Sequence, residues 1–205
     1  MTIWANCRGA GGTARLIDKI DAVAVGNVVD EDSDAVLARE ARDDRQQFVK
    51  LYDRYVDRIE RYVLARTGRT SAVDDLVSAT FMRALINIHT FHHRRGTFAG
   101  WLFAIARNIV SDHQRALRRL SGSEPADQID SRPGPEMTTL RNEEAAAVRA
   151  ALLRPTPDQR EALALRYTGE LAFAEVGQAM GKSEAAAKML VQRGVQALRR
   201  QLEET

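Results

Sequence analysis

The chain has 205 residues, with 30 basic and 28 acidic side chains, 44% hydrophobic residues and 6% aromatics. That mixture fits one medium domain or two small ones and excludes a disordered chain, and so few aromatics favour helices over a sandwich or barrel. One cysteine, Cys7, excludes an internal disulfide framework and a clustered thiolate metal site.

No apolar run approaches the ~18 residues that cross a bilayer, so no membrane insertion is expected. Asp18, Lys19 and Asp21 interrupt the longest apolar stretch near the start, where a secretory leader would need continuity. The expected location is the cytoplasm. Charge is unevenly spread beneath a net +2. Residues 1–44 carry net −4, residues 45–120 net +8, residues 121–150 net −3 and residues 151–205 net +1. A basic block between two acidic ones points to a phosphate-bearing partner such as nucleic acid.

Residues 1–42 show no sustained period and contain Gly9, Gly11, Gly12 and the acidic run Asp30, Glu31, Asp32, Asp34. They are expected to form a disordered acidic extension, with at most one helical turn near 34–42 and a short strand around Val23–Val29 as an alternative. A misassigned upstream start is also open. If real, the extension would shield the basic block or bind a regulator.

From Gln46 the pattern is helical. Phe48, Leu51, Tyr52, Tyr55, Val56, Ile59, Tyr62 and Val63 form one stripe, ended by Gly68 as a C-cap. Ser71 and Asp74 have capping-box spacing before a helix lined by Val73, Leu76, Val77, Phe81, Leu85 and Ile88. A loop from His89 to Gly96 follows. Thr97 then caps a helix whose inner face is Trp101, Leu102, Ile105, Ala106, Ile109 and Val110. The predicted first domain is therefore 43–120.

Residues 121–137 have the Gly, Ser, Pro and acidic composition of a linker, and a second helical domain is predicted over 138–205. Thr156, Pro157 and Gln159 read as a cap, a first-turn proline and a capping-box partner. The predicted class is all-α, with two small helical domains on one flexible acidic linker.

The end of the second domain reads as a helix-turn-helix. A first helix runs from Phe173 to Met180, Gly181 makes the turn and Ser183 caps the second helix. Gly177 lets the helices cross closely, and Val176, Met180, Ala187 and Leu190 supply the contacts between them. The second helix can then enter a major groove, presenting Ser183, Glu184, Lys188, Gln192 and Arg193. An ordinary helical hairpin would share the same spacing.

In the basic domain Phe91, Phe98, Trp101 and Phe103 interleave with Arg94, Arg95, Arg107, Arg115, Arg118 and Arg119. Stacking faces beside guanidinium groups suit an unpaired strand, although Phe98 and Trp101 read better as core. Asn108 sits mid-helix, where its propensity is poor, and its amide can both donate to and accept from a base edge. His89, His92 and His93 lack a carboxylate or thiol at metal-ligand spacing, so no metal and no cofactor are expected. Adjacent Asp74 and Asp75 face different ways and make no acid–base pair. No residue pattern argues for an enzyme.

Four segments in order, FVKLYDRYVDRIERYV, DDLVSATFMRAL, GTFAGWLFAIARNIVSDHQR and PDQREALALRYTGELAFAEVGQAMGKSEAAAK, resemble extracytoplasmic-function (ECF) sigma factors of the sigma-70 family. The resemblance covers Phe48 to Leu202. It implies an RNA polymerase sigma factor in which region 2 (43–120) binds core polymerase and opens the −10 element. Region 4 (138–205) would read the −35 element as duplex.

Carried over by position, the polymerase-docking segment holds Asp75, Leu76, Val77, Phe81 and Arg83. The −10 loop matches Phe91 to Gly96, with Asn108 where relatives hold a flipped-out base, and Lys188 and Arg193 match basic recognition-helix positions. Ser78 and Ala79 stand where relatives commonly carry Gln-Glu, and Met189, Leu190 and Val195 where Ser or basic residues are frequent. The resemblance also implies an anti-sigma factor as partner and a monomer that joins polymerase. A freestanding helix-turn-helix repressor or activator on duplex DNA is the alternative, and a regulator that binds polymerase without reading DNA is a third. Only the sigma reading needs a single-strand pocket in the first domain.

Overall fold

The computed structural model describes residues 31–68, 70–120 and 155–203. The expectations for residues 1–30, for the linker 121–137 and for a helix starting near Thr138 fall outside the described residues. Among those described, all regular structure is helical, as the apolar periods require: α1 (Glu31–Glu40), α2 (Arg45–Thr67), α3 (Val73–Ile86), α4 (Phe98–Leu120), α5 (Pro157–Leu163), α6 (Phe173–Met180) and α7 (Glu184–Glu203). Two 3₁₀ turns, Ile88–Thr90 and His93–Arg95, bridge α3 to α4. α5 runs into a π turn over Ala164–Thr168.

The first correction concerns the acidic extension, whose last residues are not irregular. Glu31–Glu40 is a full helix, and Leu37, Ala38 and Ala41 are buried against the first lobe. Asp34 is only 2% exposed, and its two carboxylate oxygens accept from the Arg54 guanidinium and the Tyr55 hydroxyl. A charge that reads as solvent-facing in sequence is in fact the anchor of α1, satisfied because both oxygens are partnered.

α2 begins at Asp44, whose side chain accepts from the Gln46 amide, and ends at Gly68 in a left-handed conformation. The predicted Ser71–Asp74 capping box is absent. The helix instead starts after Ala72 with no side-chain cap, and Asp74 and Asp75 face the positive end of its dipole. Thr97 does cap α4, its hydroxyl accepting from the Gly100 amide at 3.1 Å. The Thr156–Gln159 capping box forms in both directions.

The helix-turn-helix has the predicted bounds. Gly181 takes φ 65°, and Ser183 Oγ accepts from the Ala186 amide. Val176, Met180 and Ala187 are buried at the crossing, with Leu190 half-buried.

The two lobes do not hang apart. α6 packs on α4, the π turn packs on α2, and one apolar core runs through both lobes. Polar groups stitch the same boundary. Arg58 of α2 donates from Nε and from its NH2 group to the Gly169 carbonyl at 3.0 and 2.8 Å, and from NH2 again to the Glu170 carbonyl at 3.1 Å. The Tyr62 hydroxyl donates to Glu161 at 2.6 Å, and Arg66 pairs with the other oxygen of that carboxylate at 3.0 Å.

Gly177 carries a direct consequence. A Cβ there would lie 2.8 Å from the Lys182 carbonyl oxygen and 3.1 Å from Ser183 carbon, both backbone atoms. Gly177→Ala is expected to destabilise the second lobe by about 2 kcal/mol through forced separation of the helices. Urea unfolding checks this, and a midpoint equal to wild type would refute the crossing argument.

Candidate nucleic-acid interface

The exposed surface is organised by helix faces. On α7, Ala187, Val191 and Ala197 are buried while Ser183, Glu184, Lys188, Gln192 and Arg193 are all exposed. The five predicted duplex-facing residues thus share the open side of a helix whose opposite side is locked to the rest of the lobe. Met189 lies among them, 46% exposed.

In the first lobe, Arg94 and Arg95 are exposed on the second 3₁₀ turn, and Asn108 and Arg115 are exposed on α4. Asn108 and Arg115 lie seven residues apart and so share a helix stripe with half-buried Trp101 and Ile105. Arg107 is half-buried beside that stripe. Arg115 pairs with Asp112 one turn earlier at 3.1 Å, both largely exposed, so this pair contributes little to stability.

Phe91 is the correction here. It is 3% exposed, its ring packed edge-on to Phe98 at 5.5 Å and tilted against Trp101 at 5.6 Å. It supports the loop from beneath and offers no face for stacking. Phe98 is core as expected, and Trp101 packs against that core while remaining half-buried.

The docking segment divides between core and surface. Leu76, Val77 and Phe81 are buried, so of the five predicted residues only Asp75 and Arg83 lie on the surface of α3. The exposed face is Asp74, Asp75, Ser78, Ala79, Met82, Arg83 and Ile86, with Met82 and Ile86 at 60% and 64%. Tyr52 of α2, 41% exposed, stacks on Phe81 at 4.7 Å. Exposed Met and Ile one turn apart were the signal available in sequence, masked by the stronger buried stripe beside them.

Among the described residues no group of His, Cys, Asp and Glu is placed to hold a metal, and no helix is long and apolar enough to cross a membrane. An open helix-turn-helix face and a basic helical lobe with exposed Arg and Asn beside half-buried Trp101 make up a two-lobed helix-turn-helix protein. Profiles for sigma-70 region 2 and sigma-70 region 4 match residues 51–120 and 151–200.

The ECF RNA polymerase sigma factor BldN of Streptomyces coelicolor is 39% identical over 158 residues, 76% of this chain and 60% of that protein. The ECF sigma factor SigM of Bacillus subtilis is 32% identical over 158 residues, covering 73% of this chain and 91% of SigM. The solved structure of CnrH in complex with the cytosolic domain of CnrY shares the fold, with TM-score 0.60 and 22% identity over 84% of this chain and 98% of CnrH. The chain belongs to the ECF sigma factors of the sigma-70 family.

The boundary between the lobes also sets an alkaline limit. Burial, then the Glu161 carboxylate, push the Tyr62 phenol well above its ordinary value of 10.0. Burial, then the bond to Asp34, raise Tyr55 likewise. Both phenols therefore stay protonated in the fold while their unfolded forms ionise near pH 10. The stability they contribute is complete below that pH and is lost as pH rises through it, by up to about 1.4 kcal/mol per pH unit for each phenol. Urea midpoints measured from about pH 9 to about pH 11 should fall, and Tyr62→Phe should flatten the decline by one phenol's share.

Proposed function

We propose that this sigma factor divides promoter recognition between its two lobes, with α7 reading duplex at the −35 element and the outer stripe of α4 with the 92–96 loop holding unpaired −10 bases. The observation that carries this reading is the exposure pattern of α7, where every predicted DNA-facing side chain is open and its opposite side is buried. Lys188 and Arg193 supply phosphate or guanine contacts, and Gln192 suits adenine. On the first lobe, Asn108 supplies base-edge hydrogen bonds and Trp101 a partial stacking face. Arg94, Arg95, Arg107 and Arg115 supply charge for the displaced strand. Binding unpaired bases offsets unstacking, which costs a few kcal/mol per base.

Core RNA polymerase is the partner that performs the chemistry, and this chain contributes binding. Its docking face is the outer side of α3, with Met82 and Ile86 as apolar anchors flanked by Asp75 and Arg83. The described portions of regions 2 and 4 are both present, which supports polymerase and promoter DNA as partners. CnrH, which shares the fold, was solved in complex with the cytosolic domain of CnrY, which supports a protein regulator as another. The place of action is that of polymerase, the cytoplasm.

Run-off transcription with core polymerase tests the division. Lys188→Ala with Arg193→Ala should weaken promoter binding about tenfold or more and reduce the dependence on salt. Asn108→Ala should lower open-complex formation about tenfold with polymerase affinity unchanged. Absence of any promoter-dependent transcript across a broad template set would leave the freestanding repressor reading standing instead. Met82→Glu with Ile86→Glu, at exposed positions, should cut core-polymerase affinity at least about tenfold while leaving the melting temperature near wild type.

A further inference from the structure

The loop assigned to the −10 element has its tip in solvent and its stems pinned, and one of the pins comes from the turn after α1, outside the matched family regions. His92, His93, Arg94 and Arg95 are all exposed. At the far stem, Gly96 takes φ 139°, and Thr97 is clasped through its backbone amide and carbonyl by Gln178 of α6 at 3.0 and 3.1 Å. At the near stem stands Phe91, extended at φ −69°, ψ 129°. Its ring is sunk between Phe98 and Trp101, and its amide donates back to the Ile88 carbonyl. Its own carbonyl points out of the 3₁₀ turn toward the turn that follows α1, where the Arg42 guanidinium donates to it across 49 residues of chain.

We infer that Arg42 is a positioning residue for −10 recognition, tying the loop that reads the melted strand to the N-terminal helix α1. The inference rests on the assignment of the 92–96 loop to the −10 element. Arg42 can act as a fixed strut because α1 is itself immobilised. Ala38 and Ala41 are buried without side-chain freedom, Leu37 packs in the core, and Asp34 is held by Arg54 and Tyr55 at the other end. The turn beyond it is closed by amide bonds from Arg42 to Arg39 and from Asp43 and Asp44 to Glu40, and Asp44 then caps α2.

A charge-assisted bond from a rigid helix fixes where the loop leaves the core, and a contact built on a loop is only as accurate as its support. The consequence reaches further than the loop, because the Phe91 ring rests on Trp101, which shares its helix stripe with Asn108. Displacing Phe91 shifts the support of both reading elements together.

The test uses the full chain with core RNA polymerase on a template library randomised across the −10 segment, with transcribed templates sequenced. Arg42→Ala should reduce discrimination between preferred and disfavoured −10 bases about tenfold, the loss expected for one bond to a charged group. Core-polymerase affinity should stay at its wild-type value and the melting temperature should fall by no more than about 4–8 °C, since Arg42 is exposed and only its bond to the Phe91 carbonyl is lost. Arg42→Lys, which keeps a charged donor, should recover part of the discrimination.

An unchanged base profile in Arg42→Ala overturns the inference. So does a uniform loss across all sequences with a salt dependence lowered by about one phosphate, which would make Arg42 a direct backbone contact. The double variant Arg94→Ala, Arg95→Ala separates the two levels. If its profile is also unchanged, the assignment of the loop fails. If it loses discrimination and Arg42→Ala does not, only the positioning role fails.

Discussion

Arg58 crosses from the first lobe into the second and is the point on which their relation turns. It is buried, yet its bonds are to backbone carbonyls and not to a carboxylate. A buried cation without a counter-ion is costly unless its donors are used and its charge meets polarisable surface. Nε and NH2 are spent on Gly169 and Glu170, and the guanidinium carbon lies 5.0 Å from the Tyr55 ring centre and 5.7 Å from that of Phe103. The NH1 nitrogen alone is left buried without a partner, so the arrangement keeps a residual cost even in its best geometry. Removing the side chain would strand two carbonyls at the lobe boundary.

Those carbonyls are available only because the second lobe breaks its own helix there. The π turn over Ala164–Thr168 closes with the Gly169 amide on the Ala164 carbonyl, and Glu170 follows at φ 54°. A helix that continued would have consumed both oxygens internally. Gly169 is required for a second reason: a Cβ would sit 2.7 Å from the Leu165 carbonyl oxygen and 2.7 Å from the Phe103 ring. One glycine therefore permits the close approach of Phe103 beneath Arg58, while the reversal itself turns on Glu170. The Tyr62–Glu161–Arg66 set is the second tie, with Glu161 supplied by the short helix that the π turn ends.

Much of this was legible in the amino-acid order, and the failures share a cause. Helices α2 to α7 follow from periods of apolar residues, and the Thr156 box, Thr97, Gly177, Gly181 and Ser183 each act as local chemistry requires. What could not be read was which charged residues go inside. Asp34, Arg58 and Glu161 look solvated in sequence because their partners lie 20 or more residues away, as does the Thr97 partner of Glu175, and without the Asp34 anchor α1 reads as no more than one helical turn. The docking segment shows a related ambiguity. Leu76, Val77 and Phe81 occupy matching positions because they build the core. The exposed stripe through Asp75, Ser78 and Met82 lies beside them, about 100° round the helix.

The same geometry explains why the two reading surfaces can remain open while the lobes share a core. α6, the first helix of the helix-turn-helix, carries the contact to the first lobe: Glu175 accepts from the Thr97 hydroxyl and Gln178 clasps the Thr97 backbone. Glu175 also accepts from the Ala172 amide, so one carboxylate caps its own helix and holds the cap residue of α4. That dual use leaves the lobe boundary to α6, while α7 buries its inner side against α6 and α5. A recognition helix relieved of packing on one side can carry polar side chains there without cost to the core, which is why Lys188, Gln192 and Arg193 can be chosen for what they touch outside the protein.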